Sequence, residues 1–157
     1  MTYKINIQNA VEENIGILNK TLINWAKLTL AAQVKHAELT IRFVDNDEIQ
    51  ELNTIYRKQN KPTNVLAFPV TLPPGIKLKH RLLGDIIIAP NIVVKESTEL
   101  NKSYEEHMAL MVIHGVLHLL GYDHIDDSDA QIMQRIEITL LNNLGYANPY
   151  PEEGHET

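Results

Sequence analysis

Three of the chain's seven histidines lie in one short stretch, HGVLHLLGYDH, which runs from His114 to His124. Residues four apart on a helix point to the same side, so His114 and His118 can direct their imidazole nitrogens at one metal ion. Gly121 is expected to end the helix and let the chain bring back His124 as a third ligand. Three neutral nitrogens with one open coordination position are typical of a catalytic zinc site, where bound water becomes hydroxide near neutral pH.

The alternative is that these histidines are hydrogen-bonded residues of an apolar core. The surrounding segment, MALMVIHGVLHLLG, is almost wholly apolar. Each imidazole buried there without a partner would cost about 1–3 kcal/mol. A shared ion removes that cost, so the pattern favours one Zn²⁺ held by His114, His118 and His124. Other divalent transition metals also suit three imidazoles.

The spacing HxxxHxxGxxH is also that of the metzincin proteases, which carry a glutamate directly after the first histidine as their general base. This chain has Gly115 at that position, and glycine cannot move a proton. A peptidase would therefore need another carboxylate, and the nearest in sequence is Asp123. We interpret Asp123 as a turn residue or as a carboxylate that orients a histidine N–H group.

Periodicity predicts the elements that must position these histidines. Alternation predicts strands at 2–9 and 36–45, and short apolar runs predict two more at 64–70 and 82–89. Apolar residues at helical spacing and capping signals predict five helices, at 14–33, 45–57, 90–101, 103–121 and 126–144. Two starts are marked by Asp45 as an N-cap and by Ser103 with Glu106 as a capping box.

The order β-α-β-α-β-β-α-α-α predicts an α+β or mixed α/β domain, in which helices cover a small mixed sheet of about four strands. The helix that carries HxxxHxxGxxH is the expected zinc-binding helix. Residues 1–146 are expected to form a single metal-dependent hydrolase domain. Residues 147–157, rich in proline and acids, are expected to form a frayed tail.

Composition excludes several classes of protein. The 157 residues include no cysteine, which rules out disulfides, cysteine-based zinc sites, iron–sulfur clusters and thiol nucleophiles, and fits a reducing compartment. The N-terminus has neither the basic start nor the apolar core of a signal peptide. No apolar stretch is long enough to span a membrane. We therefore expect a cytoplasmic protein without a membrane partner.

Charge is unevenly distributed along the chain, whose net charge is −6. Between Arg57 and Gly84 there is no acid but there are six cations, whereas the other 8 cations and all 20 acids give the rest of the chain −12. The cations are Arg57, Lys58, Lys61, Lys77, Lys79 and Arg81. This stretch, which we call the basic segment, suggests either a site for an anionic ligand or a solvated loop.

Four blocks of sequence resemble the YbeY-type family of bacterial rRNA maturation factors, which are single-domain metal-dependent endoribonucleases. In chain order they are LN..YR ending at Arg57, PTNVLAFP at 62–69, LGDI at 83–86 and HGVLHLLGYDH. The resemblance covers about residues 39–145. The family commonly has TDVLSFP where this chain reads TNVLAFP, so Asn64 and Ala67 lack a carboxylate and a hydroxyl that could support activity.

The resemblance implies cleavage of single-stranded RNA in 16S rRNA 3′-end maturation and ribosome quality control. RNA, the small ribosomal subunit or its assembly factors would then be the partners. It implies His114, His118 and His124 as ligands of a Zn²⁺-like ion and Arg57 as the family's functional arginine. We predict His114 and Arg57 as catalytic residues, and we predict that Asp123 and Asp85 support the histidines.

On this hypothesis the cations of the basic segment bind the phosphates of the substrate: Arg57, Lys58, Lys61, Lys77, Lys79 and Arg81. The ion would activate water while Arg57 stabilises charge on phosphate oxygens. Two other hypotheses remain open: a non-catalytic ribosome-assembly factor with a structural metal, and a metallopeptidase with an unidentified base.

Overall fold

A computed structural model of the chain describes residues 2–70, 74–75 and 81–150. Within these residues the elements follow the predicted order. The strands are β1 (Thr2–Asn9), β2 (His36–Phe43), β3 (Val65–Pro69) and β4 (Leu82–Ile88). The helices are α1 (Asn19–Ala31), α2 (Asn46–Arg57), α3 (Pro90–Glu99), α4 (Tyr104–Leu119) and α5 (Asp127–Asn143).

The four strands form one mixed sheet in the order β1-β2-β4-β3, which confirms the predicted fold class. β1 pairs with β2, and β2 with β4, in parallel, whereas β3 pairs with β4 antiparallel and forms one edge. Burial alternates along β2 in the pattern eBiBiBiB. Ala37, Leu39, Ile41 and Phe43 are therefore buried on one side of the sheet.

Two apolar clusters cover the two sides of the sheet. The larger one joins α1, α4 and α5 to the strands and includes Trp25, Phe43, Ile86, Met108 and Leu141. The smaller one lies under α2 and consists of Val44, Ile49, Leu66, Ile87 and Ala89. Ile86 and Ile87 are neighbours on β4 and belong to different clusters, as the alternation of side chains along a strand requires.

Helix α4 is the central element of the larger cluster, with 11 of its 16 residues buried. Its predicted capping box is present: the Ser103 side chain accepts from the backbone N–H of Glu106, whose carboxylate accepts from the backbone N–H of Ser103. Its end is a Schellman motif, since Gly121 and Tyr122 donate to the carbonyls of His118 and Leu117. Gly121 has φ +106°, which favours glycine.

Helix α1 is shorter than predicted, because it begins at Asn19 and not near residue 14. Gly16 has φ +87°, a conformation that does not continue a helix. The Tyr104 hydroxyl donates to the Ile15 carbonyl at 2.7 Å, which ties this loop to the start of α4. The apolar side chains of Ile15 and Ile17 pack on the larger cluster without helical backbone. The spacing of apolar residues therefore predicted a start of α1 that is too early in the chain.

Among the described residues, no helix combines the length and apolar character needed to cross a membrane.

Candidate metal centre

Helix α4 and the turn after it bring the three predicted histidines together. Ligand nitrogens of His114, His118 and His124 all lie within 4.8 Å of one another. The Nε2 atoms of His114 and His118 are 3.1 Å apart. Two nitrogens bound tetrahedrally to one zinc ion are separated by about 3.3 Å, given bonds of about 2.0–2.1 Å. The three side chains therefore fit a single divalent transition metal ion.

The surroundings of His118 favour its neutral form, which is the form of an imidazole that binds metal. Burial, and then repulsion from His114 and His124, lowers the pKa of His118 to about 4. The negative charge of Asp123, and then a backbone hydrogen bond with Tyr122, oppose this shift only in part. At neutral pH His118 therefore offers a nitrogen lone pair.

Glu137 of α5 fixes the orientation of His114. Its side chain is 1% exposed, and its Oε2 atom lies 2.6 Å from Nδ1 of His114. The Tyr150 hydroxyl donates to Oε1 of the same carboxylate at 2.5 Å. An ionised Glu137 accepts the proton on Nδ1, so that Nε2 of His114 keeps its lone pair toward His118. Carboxylate–histidine pairs of this kind orient metal ligands in many proteins.

Sequence reasoning did not find Glu137 or Tyr150. Glu137 shares the buried side of α5 with Met133, Leu140 and Leu141, so a charged residue at an apolar position of the helical period was an available signal. Tyr150 falls in the segment predicted to be a frayed tail, yet it packs against the larger cluster and hydrogen-bonds Glu137. The contacts of the chain thus continue past the predicted boundary at 146, and residues 151–157 lie outside the described part.

The two carboxylates predicted to support the histidines are placed differently. Asp123 lines the cavity of the metal centre, where its Oδ1 accepts from the backbone N–H of His124 at 2.7 Å. That atom is 4.0 Å from Nδ1 of His124, too far for a hydrogen bond to the ring. Asp85 precedes Ile86, which faces α4, so Asp85 is on the opposite side of β4 and does not line this cavity.

Arg57 reaches the metal centre from the C-terminal end of α2. It lines one cavity of about 570 Å³ together with the three histidines, between edge strand β3 and α4. Its Nη2 atom donates to the Ala67 carbonyl at 2.7 Å, and its guanidinium lies 5.1 Å from the centre of the Phe68 ring. A guanidinium has five N–H donors, and no other hydrogen bond of this one to a described residue was found. Its remaining N–H groups can bind ligand oxygens.

The other described cations of the basic segment are not brought into this cavity. Lys58, Lys61 and Arg81 are exposed and do not line it. Lys77 and Lys79 lie outside the described residues. Among the described residues of the basic segment, Arg57 is thus the one cation positioned beside the histidines.

Gly115 has a packing role that explains the absence of a glutamate after the first histidine. A Cβ atom on Gly115 would lie 2.6 Å from Cγ2 of Ile86, a fully buried residue of β4. Helix α4 therefore approaches the sheet too closely for any side chain at position 115. A glutamate here would point into the core and not toward the metal centre.

Asn64 and Ala67, where the chain departs from the family pattern, both take part in local contacts. The Asn64 amide donates to Oε1 of Glu96 at 2.9 Å, which an ionised aspartate could not do. Ala67 contributes its carbonyl to Arg57, a contact that does not depend on its side chain.

The family model for endoribonuclease YbeY matches residues 4–145. The chain belongs to the endoribonuclease YbeY family. Proteins named endoribonuclease YbeY from Legionella pneumophila strains Corby and Paris are 52% identical to it over 156 residues, which is 99% of this chain and 99% of each relative.

A solved structure is similar to almost the whole of this chain. The solution structure of a Thermotoga maritima protein aligns with this chain at a TM-score of 0.60 and 26% identity. The alignment covers 96% of this chain and 98% of that one. The family predicted from the sequence blocks is confirmed by the family model and the relatives. The mixed α/β fold predicted from the order of strands and helices is confirmed by the sheet and by this alignment.

Proposed function

We propose that this chain is a metal-dependent endoribonuclease that hydrolyses phosphodiester bonds of single-stranded RNA. The observation that carries the proposal is that Arg57 and the three histidines line one cavity. This arrangement places a cation with free N–H donors beside a site suited to a water-activating ion. Membership of the endoribonuclease YbeY family supports RNA as the substrate.

Within this mechanism His114, His118 and His124 hold the ion, for which we propose Zn²⁺. When bound by these residues, such an ion would supply an activated water and polarise a phosphoryl oxygen. Glu137 keeps the proton of His114 on Nδ1, away from the ligand nitrogen. Arg57, held against Ala67 and Phe68, binds the phosphate oxygens and stabilises the charge that develops on them.

The size and position of the cavity support a single strand as substrate. Its volume of about 570 Å³ lies within the usual range of about 300–1,000 Å³ for small-molecule sites. A phosphate of a single RNA strand can enter such a space with its neighbouring sugar, whereas a paired duplex is too wide. We assign the cations outside the cavity, Lys58, Lys61 and Arg81, together with Lys77 and Lys79, to contacts with the RNA backbone, which weaken as salt rises.

The biological setting is part of the same proposal. We propose that the substrate is rRNA, that the reaction belongs to 16S rRNA 3′-end maturation and ribosome quality control, and that the partners are the small ribosomal subunit or its assembly factors. The setting would be the cytoplasm. Residues 1–146 would act as one hydrolase domain, against which the segment through Tyr150 packs. Asp123 would support His124 through its backbone, whereas we assign Asp85 no part in the metal centre.

Replacing Arg57 tests the catalytic arrangement. We expect Arg57→Ala to lower the cleavage rate of single-stranded RNA about 10²–10³-fold, because one donor to a developing charge contributes about that much. Arg57→Lys should recover little, since a lysine cannot bind two oxygens in a fork. Arg135, which is exposed on α5, provides the control variant Arg135→Ala, and the rates are compared in zinc-loaded protein.

Wild-type cleavage by Arg57→Ala would contradict the proposed role of Arg57. If the folded, zinc-loaded chain binds rRNA but cleaves none, the assembly-factor hypothesis replaces the enzyme.

A further inference from the structure

A second cavity lies on the other side of His114 from the one described above. It has a volume of about 470 Å³ and is bounded by α3, α4 and the segment around Tyr150. His114 lines both cavities. The start of β3 also lies between them, because Asn64, just before the strand, lines the second cavity and Val65 lines the first. A ligand with one group in each cavity would therefore pass His114.

The polar wall of the second cavity is built around Glu96. Oε1 of Glu96 is 2.9 Å from Nε2 of His107 and accepts from the Asn64 amide at 2.9 Å. Two donors thus occupy this oxygen, while no hydrogen bond of Oε2 to a described residue was found. The Glu96 side chain is 33% exposed. Its second oxygen can therefore accept from a ligand.

Asn64 adds another acceptor to this wall. Its amide N–H group donates to Glu96, its Oδ1 atom makes no hydrogen bond to a described residue, and the residue lines the cavity. His107 helps to hold the Glu96 carboxylate through Nε2. Nδ1 of His107 is buried without a hydrogen-bond partner among the described residues and is not open to a ligand in the cavity.

The other walls are largely apolar and suit a flat ring. They include Leu100, Leu110, Met111, Pro149 and the ring of Tyr150. Two carboxylates, Glu96 and Glu99, and one cation, Lys102, line the cavity, and Nζ of Lys102 donates to the Pro149 carbonyl. The excess of negative charge disfavours a phosphate. A neutral ring with N–H groups on one edge matches both kinds of wall.

We propose that the second cavity binds the nucleobase next to the scissile phosphate and prefers guanine. This inference rests on the proposed function, because the phosphate of the same nucleotide would lie in the first cavity beside Arg57 and the histidines. Guanine presents an N–H and an adjacent amino group on one edge, which suits a carboxylate oxygen and a neighbouring acceptor. Uracil presents one N–H between two carbonyl oxygens, and these would face the Glu96 carboxylate unfavourably.

Binding of free nucleosides tests this site without a phosphate that could bind elsewhere. In zinc-loaded full-length protein, guanosine should shift the methyl NMR signals of Leu110 and Met111, and uridine should bind at least about tenfold more weakly. Glu96→Gln should weaken guanosine binding by at least about tenfold, since it replaces a charged acceptor. Glu12→Gln, at an exposed position far along the chain, should leave binding unchanged.

Equal affinity for guanosine and uridine, no shift at Leu110 and Met111, or unchanged guanosine binding by folded Glu96→Gln would each overturn the proposal. Cleavage of a random single-stranded RNA separates it from the proposed function. A guanine preference next to the cleaved bond that is lost in Glu96→Gln supports the site. Cleavage without any base preference overturns the site and leaves the endoribonuclease intact. Guanosine binding without RNA cleavage by the wild type supports the cavity and contradicts the endoribonuclease.

Discussion

At the scale of single residues, the metal centre depends on groups that are distant in sequence. The buried carboxylate of Glu137 contacts His114, and Tyr150 contacts Glu137 from near the end of the described chain. The three histidines were predictable because helix geometry and one glycine bring near neighbours together. Glu137 and Tyr150 were not predicted, since their position depends on how α5 packs against α4.

Replacing Glu137 tests how far the orientation of His114 controls metal binding. We expect Glu137→Gln to weaken zinc affinity about 10–100-fold, the usual effect of losing such a partner. Tyr150→Phe should weaken it less, because the carboxylate itself remains. Affinity is measured by competition with a chelator of known strength, in protein whose fold is checked by circular dichroism.

Tyr146→Phe is the matched control, because the Tyr146 hydroxyl donates to Glu105 and not to Glu137. Unchanged zinc affinity in folded Glu137→Gln would show that the hydrogen bond to His114 does not matter for the ion.

At the scale of elements, the close approach of α4 to β4 determines which residue can follow His114 in the sequence. The order of strands and helices, the capping box of α4 and its end at Gly121 all followed from the sequence, because these depend on local residues. The start of α1 did not, because Gly16 and the contact of Tyr104 with Ile15 interrupt the helix despite continuing apolar spacing. The packing role of Gly115 could not be predicted either, since Ile86, which its Cβ atom would meet, is distant in sequence.

Replacing Gly115 tests the contact between α4 and the sheet. Gly115→Ala would place a Cβ atom 2.6 Å from Cγ2 of Ile86. We expect the overpacking to lower the free energy of unfolding by about 1–3 kcal/mol. This figure is the net loss, after the roughly 1 kcal/mol that alanine gains in a helix over glycine has been subtracted. Urea denaturation measures the difference.

The control is the same substitution in an Ile86→Ala background, where Cγ2 is absent and Gly115→Ala should cost less. A Gly115→Ala protein at least as stable as the wild type would contradict this account of the packing.

At the scale of the whole molecule, one cavity combines residues from separate parts of the chain. α2 and β3 contribute Arg57 and its carbonyl partner, and α4 and the following turn contribute the histidines. Glu137 of α5 does not line the cavity and contacts Nδ1 of His114. The sequence blocks were sufficient to identify the family and the histidine ligands. They did not indicate which cations line the cavity. Arg57 lines it, whereas its sequence neighbours Lys58 and Lys61 do not.

The central claim is that a metal ion held by His114, His118 and His124 is required for RNA cleavage. The most direct test strips the full-length protein with a chelator and measures cleavage of single-stranded RNA as Zn²⁺ is added back. The account predicts no cleavage without metal, a rate that rises until one ion is bound per chain, and no recovery in folded His118→Ala. Cleavage at the wild-type rate by the fully metal-free protein would contradict it.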